Sequence, residues 1–143
     1  MGKLFLNITV LCCLCSIPFA TQAQNKREMD LEIYKWEKRL LLLFAPAMEN
    51  TVLVSQQEMI RKSQSGIAER QLEVLELVPG GNAANMRENL LRKFGVEAGS
   101  YTLLLLGKDG LEKYRSQKAV PLEEVFKIID QMPMRRREMR KQD

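Results

Sequence analysis

The run Arg39-Leu-Leu-Leu-Leu-Phe-Ala45, ended by Pro46, is the feature that leaves this chain the fewest folds. A strand with one wet face alternates apolar and polar side chains. A run without alternation is buried on both faces, as in a parallel or mixed sheet covered by helices. Tyr101 to Leu106 is a second stretch of the same kind. The chain therefore needs apolar helix faces on either side of a central sheet.

Those faces can be read along the chain. Met48 to Ser65 carries Val52, Leu53, Met59 and Ile60 at helical spacing, with Gln56 as a polar break, and Gly66 is placed to stop it. Gln71 to Val78 reads as a second strand, followed by turn punctuation at Pro79-Gly-Gly-Asn82. Ala83 to Phe94 is a helix with Met86, Leu90, Leu91 and Phe94 on one face, closed by Gly95. After the third strand, Gly107-Lys-Asp-Gly110 is a hairpin turn, because Asp-Gly supplies the positive φ angles that tight hairpins require. Leu111 to Arg115 returns as a fourth, more exposed strand. Pro121 opens a last helix with Glu123 and Glu124 at the positive end of its dipole. Leu122, Val125, Phe126, Ile129 and Met132 form its apolar stripe, and Pro133 is expected to end it. Gln24 to Lys38 reads as a short helix or arm carrying Leu31, Tyr34 and Trp36.

The order strand–helix–strand–helix–hairpin–helix is that of the thioredoxin fold. The expected class is α/β, with a central mixed sheet of about four strands and helices on both faces.

The start of the chain is read as targeting rather than structure. Lys3 gives a basic start, Leu4 to Ala20 is an almost unbroken apolar stretch, and Thr21-Gln-Ala23 offers small residues to a signal peptidase. Residues 1–23 are expected to be a cleaved signal peptide, with a retained N-terminal anchor as the alternative. Residues 24–134 are then the thioredoxin-like domain and 135–143 a basic tail. The location implied is exported, periplasmic or secreted.

Cysteine and histidine usage then removes whole classes of chemistry. Cys12, Cys13 and Cys15 all leave with the signal, and the chain contains no histidine. What remains has no thiol nucleophile, no disulfide, no thiolate or imidazole metal site, and no histidine acid–base chemistry. Charge narrows the partners. The last nine residues hold five basic and two acidic groups, whereas Gln24 to Met134 is neutral overall. Nucleic-acid binders spread positive charge over a surface, so nucleic acid is not an expected partner.

Three segments carry a resemblance to a known family. They are Trp36-x-x-Arg39 leading into Leu41-Leu-Leu-Phe-Ala-Pro46; Leu106-Gly-Lys-Asp-Gly110-x-x-Lys113; and Ile129-Asp-x-Met-Pro-Met-Arg135 with Glu138. Together they resemble a bacterial family of unknown function, the prokaryotic branch of the group called DUDES. That group takes in vertebrate extracellular proteins such as equarin and the sushi-repeat proteins. The resemblance spans roughly Leu31 to Arg140 and implies a thioredoxin-like, peroxiredoxin-related fold and an exported location. It implies no reaction.

In a thioredoxin the reactive thiol lies between the first core strand and the next helix. Here that stretch is Phe44-Ala-Pro-Ala-Met-Glu-Asn50, without a nucleophile. Free amides at the helix start could hold an anion, but Glu49 is expected in the first turn, where it would repel one. No paired carboxylates stand at hydrolase spacing, so no catalytic residue is assigned. Candidate binding residues are Arg39, Lys108, Arg135, Arg136 and Arg137. Lys108 and Asp109 are weighed against turn geometry and solubility, and Trp36 with Arg39 against an ordinary structural pairing. The cations from Arg135 onward are weighed against a loosely ordered, solvated tail, or they engage an acidic protein or an anionic membrane surface. Met132, Met134 and Met139 could offer soft thioethers to copper(I); core filling and chain termination account for them, and no metal or cofactor is assigned. The reading is an exported, redox-inactive binding module, with a non-thiol enzyme using Lys, Arg, Asp or Glu as the alternative.

Overall fold

A computed structural model describes residues 31–141; the expected signal peptide lies outside the described residues. A 3-10 turn at Leu31–Tyr34 leads into β1 (Arg39–Phe44), then α1 (Thr51–Lys62), α2 (Gln64–Glu69), β2 (Leu72–Leu77) and α3 (Ala84–Phe94). The hairpin strands β3 (Thr102–Leu106) and β4 (Glu112–Ser116) follow, then α4 (Leu122–Asp130) and α5 (Pro133–Met139). The sheet order is β2-β1-β3-β4. β1 runs parallel to β2 and antiparallel to β3, and β3 runs antiparallel to β4.

Every residue of β1 and β3 is buried, as runs without alternation require. Successive side chains on a strand point to opposite faces, and the two faces build two cores. Leu41, Leu43, Leu103 and Leu105 meet Leu53 of α1, Ile67 of α2 and Val125 and Ile129 of α4. Leu40, Leu42, Phe44, Leu104 and Leu106 meet Met86, Leu90 and Leu91 of α3, with Leu31 beside them. Edge strand β4 has no fully buried residue, matching its alternating sequence. This is the mixed α/β sheet of the thioredoxin fold, in the expected order.

The helix ends show where local rules held. Gly95 closes α3 at φ 59°, and Gly110 sits at φ 76° in the hairpin turn; both are left-handed positions where a side chain is strained. Gly66 does not end the first helix. The chain breaks at Ser63, and Gly66 lies inside α2. A Cβ there would come 2.5 Å from Phe126 Cε2, so any side chain at this position must displace the Phe126 ring of α4. Gln56 is no solvent-facing break either. It is fully buried, its amide donating to Val120 O at 2.9 Å and its carbonyl accepting from Val120 N at 2.7 Å. That pair fastens the entry of α4 to α1.

Candidate functional site

At the β1–α1 junction, where a thioredoxin keeps its thiol, helix capping takes up one of the helix-start amides. Asn50 is the N-cap of α1, and its side-chain oxygen accepts from Leu53 N at 3.1 Å, the bond an N-cap residue is selected to make. Glu49 precedes the cap rather than lying in the first turn, which contains no acidic residue. The expected repulsion from inside the helix therefore does not arise; Asn50 itself takes up a helix-start amide.

The chemistry concentrates at the opposite end of the sheet, where β1 begins and the β3–β4 hairpin turns. Here the tail expected beyond Met134 is folded. Pro133 opens α5 from its first turn instead of merely stopping α4, since a missing N–H costs nothing at that position. Arg135, placed in sequence at the start of a solvated tail, is 1% exposed. Its guanidinium donates to Asp130 Oδ1 at 3.2 Å and Glu69 O at 3.2 Å, and it pairs with the Glu69 carboxylate. Arg70 adds a bidentate pair to Asp130 at 3.0 and 2.7 Å, and its guanidinium lies 4.4 Å over the Phe126 ring.

Beside this cluster, Glu138 of α5 answers two cations. Arg39 lies at 3.1 and 3.2 Å and Lys108 Nζ at 2.8 Å. Arg39 also donates to Arg70 O at 2.8 Å, while its Nε is buried without a hydrogen-bond partner. Burial works against the Glu138 carboxylate, but hydrogen bonds from Lys108 and Arg39 outweigh it and hold the group below its ordinary range. Asp130 is held low in the same way: burial opposes ionisation, and Arg70 and Arg135 override it. Paired, hydrogen-bonded charges are what a buried ionic cluster requires.

Lys108 is the hub between the hairpin and the rest. Its ammonium also donates to the Gln71 side chain, and its carbonyl accepts from Trp36 N at 2.6 Å. Trp36 (φ 68°) and Gln71 (φ 48°) are the non-glycine residues with positive φ among those described. Both are bonded to Lys108. Such conformations cost about 1–3 kcal/mol each and persist only where the surroundings over-determine them. The hairpin also separates two clefts. One, of about 140 Å³, is lined by Arg39, Lys108, Lys113, Met132, Pro133 and Met134. The other, of about 200 Å³, lies between the hairpin and the 3-10 turn and is lined by Leu31, Leu40, Leu106, Leu111 and several lysines.

The structure thus brings Arg39, Lys108 and Arg135 together, with their charges already answered by carboxylates. The reading of Lys108 as an exposed turn residue is corrected: it is 9% exposed. Trp36 and Arg39 do not pair; Trp36 is exposed and Arg39 is buried under Glu138. Arg136 and Arg137 project from α5 exposed, without an ion pair among the described residues. Met132 and Met134 line the smaller cleft, and Met139 does not. Sequence reasoning left Asp130, Glu69 and Gln71 out of the site. Asp130 stands in the Ile129-Asp-x-Met-Pro-Met-Arg135 segment, which was the available pointer; Glu69 and Gln71 carry no sequence pattern.

A family model described as "Domain of unknown function (DUF4174)" matches residues 30–138. The chain is 30% identical over 111 residues to the sushi repeat-containing protein SRPX2 of Bos taurus, covering 70% of this chain and 24% of that protein. To the sushi repeat-containing protein SRPX of Rattus norvegicus it is 28% identical over 124 residues, covering 76% and 26%. It spans about a quarter of the length of these curated relatives. Among solved structures, the reduced 2-Cys peroxiredoxin of Plasmodium vivax superposes with a TM-score of 0.56 at 17% identity, over 76% of this chain and 84% of that one. The mitochondrial 2-Cys peroxiredoxin of Plasmodium falciparum gives 0.51 at 19% identity, over 71% and 79%. At such identity the likeness shows a shared fold.

Proposed function

Since the chain belongs to the DUF4174 family, a domain of unknown function, we propose that it is an exported, redox-inactive binding domain that engages an acidic protein. The observation that carries this reading is the β1–α1 junction. The fold is that of peroxiredoxins, yet Ala45-Pro-Ala-Met-Glu-Asn50 offers neither thiol nor imidazole, and the cap residue Asn50 uses the helix-start amide. Export rests on the apolar N-terminal segment with its small residues at 21–23. It rests also on the resemblance to the bacterial branch of the DUDES group with its extracellular members.

A binding role fits the charges better than a non-thiol enzyme does. An acid or base working near neutral pH needs a carboxylate raised toward that range. Glu138 and Asp130 move the other way, held ionised by arginine and lysine. On α5 and the residues after it, Arg136, Arg137, Arg140 and Lys141 form a run of cations that are exposed without ion pairs among the described residues. Potential of this sign steers and holds acidic partners.

Two measurements test the reading on the secreted form. Peroxide consumption and insulin reduction should show no turnover above buffer. As bait in envelope and culture-fluid extracts, it should retain an acidic protein that the Arg136→Glu/Arg137→Glu variant loses, while phosphatidylserine vesicles co-sediment with neither. Turnover in either assay, equal capture by the variant, or vesicle binding without protein capture would overturn it.

A further inference from the structure

We propose that the cleft between the 3-10 turn and the β3–β4 hairpin is a docking pocket for an acidic peptide segment carrying one apolar anchor side chain. This deepens the binding reading above and rests on it, but it names a different surface from the exposed cations of α5.

The floor is apolar: Leu31, Leu40 and Leu106 are buried and close a space of about 200 Å³. Water occupies about 30 Å³ per molecule, so one large aliphatic or aromatic side chain fits there and displaces several waters. Leu111 forms the hairpin side of the rim at 62% exposure. Ile33 and Trp36, on the segment that makes the other side, are 64% and 58% exposed. Of these exposed apolar side chains Leu111 lines the cleft itself, while Ile33 and Trp36 stand on the adjoining segment outside its lining. An exposed leucine on the rim of a concave apolar floor is what an interaction site presents to an apolar anchor.

Charge selects the occupant. The lining holds Lys35, Lys38, Lys93 and Lys108 against Glu32 and Asp109. Glu32 is taken by Lys35 at 3.4 Å, Asp109 by Lys113 at 2.7 Å, and Lys108 is answered by Glu138. Lys38 and Lys93 remain exposed at the rim with no carboxylate partner among the described residues, Lys93 lying 5.8 Å over the Phe94 ring. A segment with an apolar anchor flanked by carboxylates fills the floor and pairs both ammonium groups. The smaller cleft on the far side of the hairpin makes no such demand, because each of its cations is already paired.

Rigidity supports the same conclusion. Lys38 N donates to Tyr34 O at 2.8 Å and Glu37 N to Tyr34 O at 3.0 Å, while Trp36 is pinned through its N–H to Lys108 O. The rim of the pocket is therefore joined by backbone bonds to the hairpin that forms its other wall. Strain at Trp36 is spent holding a large apolar side chain outward, and a preformed site loses less entropy on binding.

The test uses residues 24–143 and a fluorescein-labelled peptide, Gly-Asp-Glu-Leu-Glu-Asp-Gly, with two controls. In one control serine replaces leucine, and in the other lysines replace the acidic residues. Trp36 is the single tryptophan, and its backbone bond to Lys108 of the hairpin wall makes its emission a reporter of changes there. The acidic peptide should bind at least about tenfold more tightly than either control and shift Trp36 emission to the blue. Lys38→Glu/Lys93→Glu should weaken it about tenfold, and Leu111→Asp by a similar factor. All of these residues are exposed, and far-ultraviolet circular dichroism should be unchanged in the variants. Equal binding of acidic and basic peptides, or unchanged affinity in both variants, would sink the pocket. So would amide shift changes confined to α5; extract capture that still depends on Arg136 and Arg137 would then leave the broader reading standing.

Discussion

Glu138 sits among two cations that are nearly or wholly removed from water, and its replacement tests how charge is balanced at that end of the sheet. Exposed ion pairs contribute up to about 1 kcal/mol, whereas leaving a buried charge unanswered costs about 3–5 kcal/mol. The Glu138 side chain is 25% exposed and its partners are 1% and 9% exposed, so the site falls between these cases. Glu138→Gln should lower unfolding free energy by about 2–3 kcal/mol, read from urea denaturation at pH 7. The same residue sets a pH response. Glu138 and Asp130 ionise more readily folded than unfolded, so the stability they contribute is fully present above the unfolded carboxylate range near pH 4. It is lost as pH falls through their depressed folded values. Denaturation midpoints should therefore hold from pH 7 to about 5 and decline below about 4, and Glu138→Gln should flatten part of that decline. A midpoint that rises on acidification would contradict this assignment of charges. Arg39 and Lys108 were singled out from sequence as binding residues; folding turns them into cluster residues because the carboxylates that neutralise them lie far along the chain.

Between elements, the junction of α1 with the entry of α4 depends on one amide. Gln56 satisfies both the N–H and the C=O of Val120 and also receives the Tyr101 hydroxyl at 3.4 Å. Gln56→Leu conserves volume but strands buried backbone groups, each costing about 1–3 kcal/mol. A loss of about 2–4 kcal/mol is expected in thermal or chemical unfolding, together with faster hydrogen exchange at Val120. Retained stability would mean water can replace the amide. The crossing of α2 over α4 makes a second demand. At Gly66 even a methyl group would collide with Phe126, so Gly66→Val should destabilise by about 1–3 kcal/mol through overpacking. Solvent-exposed helix glycines behave oppositely when replaced. A glycine at such a crossing and one at a helix end look identical in a single sequence; only the neighbouring helix distinguishes them.

For the whole molecule, the last helix is the decisive element. If residues 135–143 were a solvated tail, removing them would leave stability unchanged. In this structure the deletion takes Glu138 from Arg39 and Lys108, and Arg135 from Asp130 and Glu69. It should therefore lower the melting temperature sharply, by the equivalent of more than about 3 kcal/mol, or leave the chain insoluble. A deletion variant with unchanged melting would restore the tail reading. What the chain determined alone was its layered architecture. Strands Arg39–Phe44 and Thr102–Leu106 lack a polar face, the hairpin has its Asp-Gly turn, and α3 has its closing glycine. These are local patterns, and burial of two-sided apolar runs has few solutions. The vacancy at the β1–α1 junction was legible for the same reason, since an absent side chain needs no fold to be read. Tertiary structure alone decided which charges are buried, that α5 is a helix, and that the hairpin has a cleft on each side. Gln71 and Glu138 are separated from Lys108, and Glu69 from Arg135, by many positions in the chain. Whether a lysine is solvated or paired depends on which carboxylate arrives beside it, and distance along the sequence carries no record of that.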